Sequence, residues 1–256
     1  MKDPGQTGEP QRKKAEPAAP SDPDSLSICV LASGSKGNAI YVASAETAVL
    51  FDAGLSGIQI ERRMKERGIS PDSLDALVVS HEHSDHVSGI GVLARRYRLP
   101  VYINPATRKA AEPQLGRIDT LCAFDCGTSF CINDLTIRPF SVSHDAAEPA
   151  SFTIENTAGK IGIATDLGFA PAMVRHHLSD CRLLVLEANH DMEMLENGPY
   201  PWPVKQRVKG RTGHLSNESA RDLLMEVLHE RLGHVILGHI SETNNTPEKA
   251  MSVVAG

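Results

Sequence analysis

The chain reads as a layered α/β sandwich with covered sheets, built as one domain. Three observations predict this. Short runs rich in Val, Ile and Leu recur along it, bounded by Gly, Pro or Asp, and read as strands. Between them lie segments with apolar residues at helical spacing. Early strands come in hairpin-like pairs and later ones alternate with helices, a mixture suited to sheets covered by helices. With 256 residues, 41% hydrophobic and 23% charged, the chain has material for a sizeable core.

Residues 1–25 hold no Ile, Val, Leu or aromatic residue and are rich in Pro and charge. Such a segment cannot bury enough apolar surface to offset its ordering entropy, so a disordered tail is expected, with the domain over 26–256. Strands are expected at 27–32, 39–43 and 47–52. Ser56-Gly57-Ile58-Gln59 then opens a helix as a capping box, Leu55 and Ile60 sit as a hydrophobic staple, and Gly68 can end it. A strand at 75–79, a helix at 87–97, a strand at 100–104 and a helix at 105–112 follow. Next come strands at 135–142, 151–155 and 160–165, a helix at 171–178 and a strand at 182–186. A helix over 217–232 places Ala220, Leu223, Leu224, Val227 and Leu228 on one face, with Gly233 as its stop. A strand at 234–238 and a helix at 247–254 complete the pattern.

Composition excludes several classes. No apolar run approaches the ~18 residues of a membrane span, and no apolar signal segment opens the chain, so a cytoplasmic protein without a membrane partner is expected. Five cysteines form no disulfide framework. Cys122, Cys126 and Cys131 read as ordinary buried thiols, since no histidine lies nearby in sequence. A net charge of −6, from 26 Lys+Arg against 32 Asp+Glu, argues against generic nucleic-acid binding. Oligomeric state is not readable.

The main functional signal is Ser80-His81-Glu82-His83-Ser84-Asp85-His86, directly after an apolar strand. In extended chain, residues two apart share a side, so His81, His83 and Asp85 can converge while His86 points elsewhere, towards a second metal. Imidazole and carboxylate together favour Zn²⁺, Mn²⁺ or Fe²⁺. The pattern H-x-H-x-D-H arises by chance in about one such sequence in a thousand. Further ligands are expected where later strands end, at His144, Asp166 and His239.

His81-x-His83-x-Asp85-His86 followed by His144, Asp166 and His239 resembles the five-motif pattern of the metallo-β-lactamase-fold hydrolases. Asp52 in Phe51-Asp52-Ala53-Gly54 matches that superfamily's early aspartate, which braces the ligands from behind. Ala32 to Asn38, Glu187-Ala188-Asn189-His190-Asp191, Gly213 to Asn217 and Ser241 to Asn245 are similar to the YycJ/WalJ branch, associated with 5′-to-3′ exonuclease action on double-stranded DNA. The resemblance implies an αββα four-layer sandwich with a dinuclear site at one edge. It implies that His81, His83 and His144 hold one metal and Asp85, His86 and His239 the other, with Asp166 bridging. The chain stops soon after its last expected helix, so a final strand seen in some relatives is expected to be missing.

Two metals make hydroxide available at neutral pH and clamp substrate oxygens, with Asp85 counting as both ligand and catalytic residue. The substrate is left open by the cluster alone. Expelling an alkoxide needs a general acid, and Glu187 with His214 resembles the Glu/His pair of the tRNA 3′-processing branch, in which His is the proton donor. His190 and Asp191 could assist or be structural. Lys205, Arg207, Lys209 and Arg211 place four positive charges within seven residues, as a phosphate-gripping edge or a solvated loop, with Trp202 and Tyr200 available to stack. The 33–38 turn could point N–H groups at phosphate. A metal-dependent phosphodiesterase, of the DNA exonuclease type, is therefore expected. A small-molecule thioesterase, lactamase or cyclic phosphodiesterase, and a non-catalytic metal-binding regulator, are the alternatives. Two divalent cations add +4 where phosphate must bind, so the acidic balance does not exclude a nuclease.

Overall fold

The computed structural model describes residues 25–256; the expected 1–25 tail lies, but for its last residue, outside them. Twelve strands among the described residues form two six-stranded sheets. In the first, β1 (Ser27–Ala32), β2 (Ala39–Ala43) and β3 (Ala48–Phe51) pair antiparallel. β4 (Ala76–Val78), β5 (Val101–Ile103) and β6 (Leu121–Ala123) then add in parallel. The second sheet repeats the scheme. β7 (Phe130–Ile132), β8 (Leu135–Ser141), β9 (Ala150–Asn156) and β10 (Gly159–Ala164) are antiparallel, and β11 (Leu183–Glu187) and β12 (His234–Gly238) follow in parallel.

Three apolar layers hold these sheets. Val42, Val49, Phe51 and Val78 of the first meet Ile137, Phe152, Ile154 and Val185 of the second in the central core. Outside the first sheet, Ile60 and Met64 of α1 (Gly57–Glu66) and Ile90 and Leu93 of α3 (Ile90–Tyr97) pack with Leu50 and Leu77. Outside the second, α5 (Ala172–Leu178), α8 (Asn217–Val227) and α9 (Pro247–Ala255) bury Val174, Leu178, Leu223 and Val254 against Leu184 and Leu186. The order helix, sheet, sheet, helix is the αββα sandwich. Strands covered on both faces explain the nearly unbroken apolar runs.

Several boundaries depart from expectation. The helix expected at 87–97 is α3, which starts only at Ile90; a separate one-turn helix, α2 (Ser84–Val87), precedes it across Ser88-Gly89. A side chain on Gly89 would lie 2.4 Å from the Leu55 carbonyl, so only glycine lets this joint pack on the Ala53–Leu55 turn. Helix α4 runs to Leu115 (Pro105–Leu115), past the expected end. Helix α8 stops at Val227, because Leu228 is extended. β6 and β7 were not expected: as edge strands with half-buried and exposed positions, they lack the buried apolar run that marks β4 and β5. Two helices also lie where none was expected, α6 (Met192–Asn197) and α7 (Trp202–Val208). Cys131 is exposed and Cys122 and Cys126 half-buried, so the buried-thiol expectation fails: these strands sit at the sheet edges. Among the described residues no helix is long and apolar enough to cross a membrane.

Candidate active site

The parallel strands end together. Phe51 of β3 pairs with Val78 of β4, and Glu187 of β11 with Gly238 of β12, so one edge collects the residues after each strand. Three of those residues adopt a left-handed backbone that non-glycine residues rarely accept: Asp52 (φ 58°), Asp166 (φ 59°) and His239 (φ 51°). Each such turn costs on the order of 1–3 kcal/mol and is kept only where the surroundings impose it. For His239 the surroundings are explicit. Its N–H donates to Ser33 Oγ at 2.6 Å, and its carbonyl accepts from Asn189 Nδ2 at 2.9 Å.

His81, His83 and His144 bring one nitrogen each to a common point, with all three atoms within 4.8 Å of one another. His83 Nδ1 is 3.0 Å from His81 Nε2 and 3.3 Å from His144 Nε2. The ring nitrogens facing away are held: His81 Nδ1 lies 3.0 Å from Ser80 Oγ, and His144 Nδ1 lies 3.1 Å from the Gly213 carbonyl. Such bracing fixes ring tautomer and aim in metal sites.

Asp166 stands between this trio and a second group. Its Oδ1 is 3.9 Å from His144 Nε2, while its Oδ2 is 3.4 Å from His86 Nε2 and 3.2 Å from His239 Nδ1. Despite that proximity, Asp166 Oδ2 and His239 Nδ1 are buried without a hydrogen-bond partner. Buried donor atoms left unpaired while converging on one spot are what a divalent cation would satisfy, and the imidazole–carboxylate set suits one. Behind His86, Asp52 Oδ2 holds Nδ1 at 2.8 Å and also accepts from Ser80 Oγ. Asp85 is not on the same point as His81 and His83, contrary to the extended-chain spacing. The chain turns helical at Ser84, which carries Asp85 to the His86 side, its Oδ2 3.6 Å from His86 Nε2. Gly54 permits that approach, since any side chain there would overlap the Asp85 carbonyl.

Glu187 is fully buried at the end of β11. One of its oxygens accepts from the Leu167 and Leu215 amides at 3.1 and 3.0 Å; the other lies 2.8 Å from His214 Nδ1. Asp166, Glu187, His214 and His239 are also close enough to share an ion. With its oxygens already taken by those three partners, Glu187 is better matched to orienting His214, whose ring stacks 5.0 Å from that of His239. A cleft of about 300 Å³ opens over these groups, lined also by Ser35, Asp85, Asp145, Val204 and Arg207.

Electrostatics sort the imidazoles. Burial pushes His81 well below, and His144 below, the usual histidine range, which keeps both neutral and able to donate a lone pair. Burial opposes charge on His86 too, but the Asp166 and Asp52 carboxylates lift it well above that range. Burial likewise works against a charged His214, yet the Glu187 carboxylate beside it raises its pKa to about 9. His214 therefore holds a proton at neutral pH. Burial drives His190 down to about 4, and neither of its nitrogens has a partner among the described residues. Asp191 is structural: its carboxylate caps α6 by accepting from Met194 N–H at 2.8 Å.

The basic run disperses. Lys205 donates to the Glu196 carbonyl, Lys209 lies 3.5 Å from the Glu196 carboxylate and over the Trp202 ring, and Arg211 stacks on Phe169. Only Arg207 reaches the cleft, where its Nε donates to Asp145 at 2.5 Å. Trp202 is 66% exposed on α7, and Ser35 of the 33–38 turn reaches the cleft wall.

Residues 47–240 match the family described as Beta-lactamase superfamily domain. The chain belongs to the metallo-β-lactamase superfamily. It is 41% identical over 231 residues to Exodeoxyribonuclease YycJ of Bacillus anthracis, covering 89% of this chain and 88% of that one. It is 38% identical over 225 residues to Exodeoxyribonuclease WalJ of Streptococcus pneumoniae, covering 86% and 84%. The crystal structure of the metallo-β-lactamase-fold protein YhfI from Bacillus subtilis shares the fold, with a TM-score of 0.71 at 18% identity over 90% of this chain and 93% of that one. Within this metallo-β-lactamase-fold site, sequence reasoning missed Ser80, Asn38, Asp145 and the Gly213 carbonyl. Ser80 and Asp145 adjoin His81 and His144, a usable signal. Asn38, whose Nδ2 is 2.9 Å from His86 Nε2, arrives from a distant turn that only the fold brings near.

Proposed function

We propose that this chain is a metal-dependent exodeoxyribonuclease, as its YycJ and WalJ relatives are named, and that it acts 5′-to-3′ on double-stranded DNA. The observation that carries it is the Glu187–His214 pair at the cleft. Thioester opening expels a thiolate that leaves without a proton, whereas a phosphodiester releases an alkoxide that needs one. With His214 Nδ1 engaged by Glu187, Nε2 is the nitrogen available to give that proton to the leaving oxygen. Glu187 keeps the ring charged and aimed, and is itself fixed by two backbone amides.

We assign His81, His83 and His144 to one divalent ion and Asp85, His86 and His239 to a second, with Asp166 bridging and Asp52 bracing. Zn²⁺ and Mn²⁺ both suit these donors. Such ions supply a lowered pKa for bound water, from 15.7 to roughly 7, and offset phosphate charge. Arg207, lining the cleft, is placed to meet a backbone phosphate. Lys205, Lys209 and Arg211, directed elsewhere, serve this edge through the local field. The test is to incubate Mn²⁺- and Zn²⁺-loaded protein with end-labelled duplex and single-stranded DNA and RNA. Stepwise loss of nucleotides from the 5′ end of duplex DNA is expected. Failure to cut any nucleic acid, with turnover of a thioester or lactam, would overturn the reading.

A further inference from the structure

Arg207 is the only Lys or Arg among the described residues that line the cleft, and its side chain is 66% exposed there. It is not idle. Its Nε donates to Asp145 Oδ2 at 2.5 Å, across 62 positions of sequence, joining α7 to the loop after β8. The other oxygen of Asp145 is 3.5 Å from His144 Nε2, the nitrogen that faces the ligand cluster. A carboxylate thus sits between the guanidinium and the ligand cluster, where an oxyanion of a substrate would lie. Carboxylate and phosphate present matching pairs of oxygens to a guanidinium fork, so the two compete for the same donors.

Asp145 is also the cleft carboxylate left without a task in the ligand assignment, since Asp85 and Asp166 are both used. Helix α7 buries none of its residues. The element bearing Arg207 can therefore adjust its aim without disturbing a core.

Resting on the nuclease reading, we propose that Arg207 is a phosphate subsite for the nucleic-acid backbone and that Asp145 occupies it until a phosphate takes the carboxylate's place. Asp145 then acts as a gate: it weakens binding of every anion equally at that subsite and keeps Arg207 extended for the incoming strand. A merely structural ion pair predicts the opposite sign, since breaking it from either side would loosen the cleft.

The test uses the full Mn²⁺-loaded chain, with calorimetric binding of inorganic phosphate and hydrolysis of a 5′-labelled DNA duplex measured in parallel. Asp145→Asn is expected to tighten phosphate binding and lower KM for the duplex by about threefold to tenfold, with little change in kcat. Arg207→Gln is expected to weaken both by a similar factor. In the Arg207→Gln background, Asp145→Asn should bring no gain. A gain of equal size in that background would reduce Asp145 to a general charge effect and overturn the gate. So would an Asp145→Asn protein that binds phosphate more weakly, or that loses its ions, which would place Asp145 among the ligands. If phosphate binding follows the expected pattern but no DNA is cut, the gate stands and the nuclease reading fails. If DNA is cut and the phosphate pattern is absent, the gate fails alone.

Discussion

Along one wall of the site, His81, His83, Asp85 and His86 come from six consecutive residues. The other wall gathers His144, Asp166, Glu187, His214 and His239 from strand ends and a helix entrance spread between residues 144 and 239. The first wall is set by local geometry, an extended pair followed by one helical turn. The second exists only when β8, β10, β11 and β12 are in register and when Asp166 and His239 are held in left-handed turns. A contiguous wall depends on the local geometry of its own segment, whereas a dispersed wall reports on the whole second sheet. The residue that joins them is Asp166, through its two oxygens.

Asp166→Ala should therefore show the largest effect. Elemental analysis of the purified variant should find both ions depleted, and nuclease turnover should fall by about four orders of magnitude or more. Retention of one full equivalent would show that an ion is held without the Asp166 carboxylate, and would break the proposed dependence. Next comes the proton donor. His214→Ala should keep its metal content yet lose about 10²- to 10⁴-fold in turnover. Glu187→Gln should lower turnover less and weaken the acid form of His214, because the buried carboxylate is what raises that pKa to about 9. The high-pH limb of its activity profile should accordingly move to lower pH. Unchanged limbs in both proteins would remove His214 from the chemistry.

A smaller effect is expected behind the contiguous wall. Asp52→Ala removes the partner of His86 Nδ1 and should weaken metal retention against a chelator by about 10- to 100-fold, with the fold intact by circular dichroism. The last concerns stability rather than turnover and belongs to His190, buried three residues beyond Glu187. Its folded pKa of about 4 lies below the ordinary 6.5, so the unfolded chain binds the proton first as pH falls. Its share of stability is complete above 6.5 and is lost between about 6.5 and 4, amounting to about 3 kcal/mol. His190→Leu should flatten that part of the melting-temperature curve relative to the parent protein. A curve parallel to the parent's would show that His190 titrates normally.

The same contrast decides what could be read without coordinates. The H-x-H-x-D-H cluster was legible because its donors share a few residues of chain, and the sandwich because strands covered on both faces leave apolar runs of unmistakable length. His144, Asp166 and His239 were legible as polar residues closing apolar strands, though nothing local said which of them met which. Helix α7 is not legible although Pro201-Trp202-Pro203 is a helix-start signal, because a run of four positive charges fits a solvated loop equally well. The extended-chain spacing misplaced Asp85, since a single helical turn after His83 swings it to the other side.

Ligand types, strand count to within two short edge strands, and the chemistry of a divalent site were thus determined by residue identity and spacing. The division of donors around Asp166, the dispersal of the basic run to leave Arg207 alone at the cleft, and its pairing with Asp145 were decided only by tertiary structure. The reason is physical. Hydrophobic periodicity and motif spacing act over one or two turns of chain, but a side chain's direction at a strand end depends on register and on backbone turns imposed by neighbours far away in sequence.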